Sequence, residues 1–356
     1  MKKVILLLVV FVALAVTAAV YLRSSDKTVG VCMPMRAVDR WMLDGDNIKK
    51  QLEAKGYKVI LEYAENDNER QRAQIENMID RRCSALIIAA ADCYGLNDVL
   101  EKARKNDIKI IAYDRLLMQT EFVDYYCTFD NFEVGAVQGE YIEKAFNLKD
   151  AAPESANIEI VSGAADDSCA VENYNGQMSV LKPYIDGGKI KVFSGETGFE
   201  PTAIADWSSE GAKNYMKNLL SKYYADGAQL DAVLSANDSM ARGVIEALEE
   251  AGYGSKDKPW PVITGQDCDK ENVTAMIKGV QSMSLFIDTR ALATRAVDLT
   301  DDILLGKTPT INNATRYDNE VKIVPASICK PIYVDKNNYS EVLVRSGYYK
   351  REDFTE

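Results

Sequence analysis

From Thr28 onward, short runs of β-branched and other apolar residues alternate with longer stretches whose apolar positions recur every three or four residues. Runs of the first kind suit strands buried on both faces. Stretches of the second kind suit amphipathic helices, so the alternation predicts βαβ units on parallel sheets. The pattern predicts a strand over Val29–Met33, a helix over Trp41–Lys55 and a strand over Lys58–Tyr63, with Gly56 in the left-handed position that closes a helix. A helix near Glu69–Arg82, a strand Ala85–Ala89, a helix Leu96–Asn106 and a strand Lys109–Tyr113 follow, completing one doubly wound domain by about Asp130. A second series predicts a strand Asn157–Ser162, a helix Asn173–Lys182, a strand Ile190–Ser194, a helix Ser209–Tyr224, a strand Ala232–Leu234, a helix Met240–Ala251 and a strand Val262–Gly265. A helix near Thr289–Leu305 and strands near Val321–Ser327 and Ile332–Val334 fall outside both series and read as chain crossing back between domains. The expected lobes are therefore 27–130 with 289–321, and 131–288 with 322–356.

A length of 356 residues supports that division, because two domains of about 150 residues each can bury a core. Apolar residues at 47% and charged residues at 27% exclude disorder as the main state. Acids exceed bases to a net charge of −12, a sign that repels nucleic-acid phosphates and anionic lipid. Histidine is absent, which excludes Ser-His-Asp triads, Cys-His dyads and His-ligated zinc.

The first residues, 1–25, read as a targeting segment: Lys2 and Lys3, then an uncharged apolar run Val4–Leu22, then Arg23. The pattern fits a cleaved export signal, with Val16-Thr17-Ala18 or Thr17-Ala18-Ala19 as cleavage site, and equally a retained anchor. The first cysteine is Cys32, too late for a lipid-modified N-terminus. The seven cysteines are odd in number and form no CxxC pair, so they read as small buried hydrophobes rather than metal ligands.

No glycine-rich nucleotide fingerprint follows the first strand and no P-loop occurs, so no cofactor and no metal is expected. What recurs is planar polar groups at strand ends: Arg36, Arg40, Asp114-Arg115, Asp166-Asp167, Asn237-Asp238 and Gln266-Asp267. Ligands of open α/β sheets bind outside the carboxyl ends of the strands. Carboxylates, amides and guanidinium forks suit sugar hydroxyls, which both donate and accept, and aromatic faces cover the C–H surfaces of a sugar. Trp41, opening a helix at the end of the first strand, and Trp207, at a helix start, are the aromatic candidates, with core packing as the competing role for Trp207. For Asp92, Asp238 and Asp267 the competing role is helix N-capping, and for Asp166-Asp167 it is a solvated turn or a calcium ligand.

Taken together, these residues resemble the type I periplasmic sugar-binding proteins, in the multiple-sugar and xylose-binding branch. The likeness runs from about Val29 to Phe354 and rests on Arg40-Trp41, Ile110–Leu116 ending in Tyr113-Asp114-Arg115-Leu116, Thr128–Phe132, Met178–Asp186, Thr264–Asp267, Asp288-Thr289-Arg290, Val324-Pro325, and Tyr339 with Gly347-Tyr348-Tyr349. The resemblance implies two Rossmann-like domains joined by three strands, with an aldose such as xylose, glucose, galactose or arabinose in the cleft and hinge closure around it. It implies that Arg40, Asp114 and Arg115 clamp hydroxyls, that Trp41 and Trp207 cover the sugar faces, and that Asn237 and Asp267 add hydroxyl contacts. The chain departs from the family at Asp167-Ser168-Cys169-Ala170, where Cys169 stands for a contacting asparagine, at Ile287, where relatives carry lysine, and at Val171, where they carry a bulkier side chain. A buried hydroxyl left without its partner would cost about 1 to 3 kcal/mol. The implied partner is an ABC permease. The alternative is a membrane-held sensor that presents its closed form to a histidine kinase or chemoreceptor. Glycoside hydrolysis by Asp166-Asp167, Asp238 and Asp267 would need two acids about 5 to 10 Å apart, and hydroxyl binding already accounts for these groups, so the chain reads as non-catalytic.

Overall fold

The computed structural model describes residues 27–150, 152 and 156–354. The apolar run Val4–Leu22 lies outside them. Among the described residues no helix is long and apolar enough to cross a membrane.

In chain order the elements are β1 (Thr28–Met33), α1 (Asp39–Ala54), β2 (Lys58–Tyr63), α2 (Asn68–Asp80), β3 (Ala85–Ile88), α3 (Asn97–Lys105), β4 (Lys109–Tyr113), β5 (Tyr125–Phe129), α4 (Asn131–Ala145) and β6 (Ala156–Val161). There follow α5 (Ser168–Asp186), β7 (Ile190–Lys191), α6 (Ser209–Tyr223), β8 (Ala232–Ser235), α7 (Asp238–Glu250), β9 (Val262–Ile263), α8 (Lys270–Lys278), β10 (Ser284–Phe286), α9 (Thr289–Leu304), β11 (Ala326–Cys329) and β12 (Ile332–Val334). The chain forms two α/β units with parallel sheets, as the alternation predicts. One unit takes residues up to Thr128 and Thr289–Ile328, the other Phe129–Asp288 and Cys329–Glu356.

In the first unit the sheet order is β11-β5-β4-β3-β1-β2, with parallel pairing from β2 through β5. Residues 29–33 and 85–88 are wholly buried, as strands covered on both faces must be. Leu86, Ile88, Ile110, Ala112, Ile75, Leu96 and Leu100 share one core cluster. Helix α9 packs beside α1, where Asp301 accepts from Tyr57 Oη at 2.6 Å and pairs with Lys55 Nζ at 3.2 Å. The sheet register is thus Val29 beside Val59 on one side and Ala85 on the other, so the strand ends line up at one edge of the sheet.

In the second unit the order is β7-β6-β8-β9, all parallel, and β10 pairs antiparallel with β12. Two helix pairs pack almost backbone to backbone. A Cβ on Gly135 of α4 would lie 1.8 Å from the Asn173 carbonyl of α5, and one on Gly243 of α7 would lie 1.9 Å from the Ser209 carbonyl of α6.

Several boundaries differ from expectation for identifiable reasons. Strand β7 stops at Lys191 because the Ser194 backbone and hydroxyl are drawn to the buried Glu159 carboxylate, at 3.1 and 2.6 Å. Helix α5 starts at the cap Asp167 and runs through Pro183, where the pattern stopped at Lys182. The strand expected over Val321–Ser327 is β11, Ala326–Cys329. The residues before it form a turn in which Asn319 donates to the Leu117 and Thr120 carbonyls, at 3.0 and 2.6 Å. All seven cysteines are buried and none forms a disulfide.

Candidate functional site

In the first unit, Arg40 and Trp41 open α1 and Asp114 and Arg115 follow β4 directly. All four are buried. Asp114 takes a left-handed backbone, φ 61°, its N–H donating to the Cys127 carbonyl at 2.7 Å while its own carbonyl accepts from Thr128 Oγ1 at 2.9 Å. Arg40 Nη2 donates to Asp114 Oδ1 at 2.8 Å and its Nε to Asp44 Oδ2 at 3.3 Å. Arg115 Nη1 donates to the Ala90 carbonyl, just past β3, at 2.8 Å. Both guanidinium groups lie over the Trp41 ring, 4.6 and 5.3 Å from its centroid. The tryptophan is therefore packed and cation-bearing at once. Arg36 is not part of this group. It is half exposed, ion-paired with Glu65 and placed over the Tyr63 ring.

Asp44 does not stand out in the sequence. It lies wholly buried beneath Arg40 and accepts a hydrogen bond from the Tyr113 hydroxyl. Burial pushes its carboxyl up to about 7, against the opposing pull of Arg40 and Tyr113.

In the second unit, Asp167 caps α5, accepting from the Cys169 N–H at 2.8 Å, and its other oxygen accepts from Trp207 Nε1 at 3.1 Å. Asp166 is exposed beside it. Trp207 sits at φ 52° after Asp206 at φ 59°, and its ring fills the space left by Gly163, where a Cβ would come within 2.3 Å. It packs with Val161, Ala164, Ala170 and Ile204. Cys169 lies buried in the first turn of α5.

At the ends of β8 and β9, Asn237 caps α7 through the Met240 N–H at 3.0 Å and reaches Asp267 Oδ2 at 3.5 Å. Asp267 takes φ 101°, its N–H donating to the Leu285 carbonyl at 2.8 Å. Gln138 of α4, which polarity alone did not single out, donates at 3.0 Å to both the Ala236 and Gly265 carbonyls, the residues that lead into Asn237 and Gln266-Asp267.

Capping explains fewer of the strand-end acids than expected. Asp92 accepts from the Tyr94 N–H in a turn ahead of α3, Asn237 rather than Asp238 caps α7, and Asp269 rather than Asp267 holds the cap position of α8. Asp238 itself has to be removed from the sugar contacts. It has no exposed surface, and its carboxylate accepts from Gln281 Nε2 at 2.8 Å and the Asp269 N–H at 3.0 Å, with Ser284 Oγ at 2.9 and 3.0 Å from its two oxygens. Burial and the neighbouring Asp269 and Asp267 raise its carboxyl well above the usual range. Among the described residues no group of three or more cysteine, aspartate or glutamate side chains is arranged to hold a metal ion.

The profile of the periplasmic binding protein domain matches residues 29–308, which reaches into both units and includes every candidate residue placed above. The chain belongs to this family. It is 46% identical over 332 residues to the multiple sugar-binding periplasmic protein of Azospirillum brasilense, covering 93% of this chain and 92% of that protein. It is 32% identical over 330 residues to the D-xylose-binding periplasmic protein of Escherichia coli, covering 93% of each. An ABC transporter solute binding protein of Clostridium phytofermentans, solved with bound β-D-glucose, superposes with a TM-score of 0.89 at 47% identity, covering 92% of this chain and all of that one. The two-unit α/β architecture of this periplasmic binding protein is thus that of sugar-binding solute-binding proteins.

Proposed function

We propose that this periplasmic binding protein is a non-catalytic, extracytoplasmic receptor that captures one aldose, of the xylose, glucose, galactose or arabinose type, and delivers it to an ABC permease. The observation that carries this reading is the Arg40–Asp114 pair with Arg115 over Trp41. These polar groups are already locked to one another and to the backbone, so little side-chain entropy remains to be lost when hydroxyls replace water. Arg40, Asp114 and Arg115 hold hydroxyls from the first unit, and Asn237 and Asp267 from the second. Trp41 and Trp207 cover C–H faces, Asp167 fixes the Trp207 ring, and the sugar draws the hinge closed. The names of the relatives, a multiple-sugar, a xylose and a glucose-bound binding protein, support a monosaccharide as the ligand class. Sequestration of Asp238 removes one of the acids that a hydrolytic reading would use.

The apolar run Val4–Leu22 favours a second destination for the closed form. If that run is retained as an anchor, the receptor reports to a histidine kinase or chemoreceptor beside, or in place of, a permease. The ligand reading is tested by thermal shift against aldoses, polyols and phosphosugars. A ligand present at about 100 times its dissociation constant adds roughly 2.7 kcal/mol and raises the melting temperature by a few degrees. A selective shift with one aldose is expected. Shifts with a polyol or phosphosugar alone, or with nothing, would remove the aldose.

A further inference from the structure

On helix α1, residues four apart share a face, which sets Asp44 one turn beyond Arg40. Asp44 is fully enclosed, and each of its oxygens has a partner from a different element: Oδ2 accepts from Arg40 Nε at 3.3 Å, and Oδ1 accepts from the hydroxyl of Tyr113, the last residue of β4. Tyr113 immediately precedes Asp114 and Arg115. One carboxylate therefore holds the arginine that comes from α1 and the strand end that delivers the other two polar groups. We infer that Asp44 is a positioning residue for ligand binding, fixing the Arg40 fork against Asp114 and the end of β4 against α1, and that its ionised form is the binding-competent one. The inference rests on the aldose reading above and deepens it.

An ionised Asp44 offers Arg40 a charge-assisted bond and leaves Nη2 to Asp114. A protonated Asp44 gives up that charge and competes with Tyr113 as a donor, so both anchors slacken together. The groups that face it are Arg40 on α1, Tyr113 and Asp114 at the end of β4, and Tyr63 at the end of β2, whose phenol is pushed upward chiefly by burial, with Asp46 and Asp44 adding to it. Arg40 stays cationic and both tyrosines are raised, so neither kind of group titrates near neutrality. Asp44, pushed up to about 7 by burial, does. With only the ionised form competent, the competent fraction falls from about nine-tenths at pH 8 to about one-tenth at pH 6, and apparent affinity falls about tenfold.

The test is calorimetric titration of the purified protein at pH 6 and pH 8 with the aldose that stabilises it, for wild type, Asp44→Asn and the control Glu65→Gln, which removes only the surface partner of Arg36. Expected are a tenfold weakening of wild type and of Glu65→Gln from pH 8 to pH 6. Asp44→Asn should bind about tenfold or more weakly at pH 8, with no further change at pH 6 and an unliganded melting temperature equal to or above that of wild type. An Asp44→Asn protein with wild-type affinity and wild-type pH slope overturns the inference while leaving the aldose reading intact. Wild type that binds no aldose at either pH overturns both. Should Asp44→Asn not fold, Tyr113→Phe decides. Loss of the hydroxyl raises the Asp44 carboxyl further, so affinity should break at a higher pH than in wild type, and an unmoved break overturns the inference.

Discussion

Cys169 occupies the first turn of α5, one bond from the cap Asp167, whose side chain also holds the Trp207 indole. A thiol there is a weak donor and a weak acceptor, whereas an amide would bring two N–H donors and a carbonyl. Asparagine is close to cysteine in size, so Cys169→Asn should fit with little strain and tighten sugar binding by about 1 to 3 kcal/mol, roughly five- to a hundred-and-fiftyfold. Isothermal titration of the variant with the stabilising aldose checks this. Unchanged affinity would mean that the ligand makes no hydroxyl contact at that turn. At the same scale the sequence shows where its own legibility ends. Arg40, Trp41, Asp114 and Arg115 stand out in the sequence as candidates because they are planar polar groups and an indole at strand ends. Asp44 does not, because an aspartate four residues after an arginine on a helix has the pattern of a solvated ion pair, and only its burial in the fold, with the Tyr113 hydroxyl against it, sets it apart. Asp238 failed in the opposite sense. It follows Asn237 at a strand end just as Asp114 follows Tyr113, but the β10 residue Ser284 and the side chain of Gln281 close over its carboxylate. No local pattern reports a partner some forty residues away.

Helix α4 was missed for a reason that also predicts how it fails. Its sequence, Asn131–Ala145, carries Gly135, Gln138 and Gly139 on its buried side, residues that weaken both the apolar stripe and the helix propensity from which a helix is read. Their value is in the contact. With no Cβ at Gly135, the backbone of α5 approaches until a methyl group there would stand 1.8 Å from the Asn173 carbonyl, and Gln138 reaches the carbonyls at the ends of β8 and β9. A side-chain tip could swing aside, but a backbone carbonyl inside a helix cannot move without separating the two helices. Gly135→Ala should therefore destabilise by about 1 to 3 kcal/mol, even though alanine is the better helix former. The measurement is urea unfolding, in which the midpoint should fall at an unchanged slope. A midpoint equal to or above that of wild type would show that the helices separate at no cost. Elements that could be read, β1 to β4, α6, α7 and α9 among them, owe their burial to apolar side chains at regular spacing. The missed ones, α4, α8, β5 and β10, are short or polar and owe their place to what lies across from them.

At the scale of the molecule, the acid excess and the buried carboxylates set opposing dependences on pH. Asp44 is raised to about 7, and Asp238 and Glu159 are raised as well, all chiefly by burial. A carboxyl whose pKa is higher in the folded than in the unfolded state adds stability that is complete below its unfolded value, about 4, and lost as pH rises through the folded value. Between pH 8 and about pH 5, proton uptake at Asp44 should therefore stabilise the unliganded protein, and the raised carboxyls of Asp238 and Glu159 act in the same direction. The depressed carboxyls run the other way. Asp98, Glu143 and Asp335 are held down by hydrogen bonds and cations, so their contributions are present above about pH 4 and lost only below it. Lowering the pH from 8 to 5 also relieves part of the self-repulsion of a chain with net charge −12. The unliganded melting temperature should accordingly rise by several degrees from pH 8 to pH 5 and fall again below pH 4. If ionised Asp44 is needed to hold Arg40, the increment added by a fixed concentration of aldose must shrink over the same interval in which the unliganded protein gains stability. A paired thermal scan from pH 5 to pH 8, with and without sugar, reads both trends at once, and the two curves should approach each other as the pH falls. Curves that stay parallel would separate the stability of the fold from the protonation of its binding group, and would locate the titrating carboxyls away from Arg40.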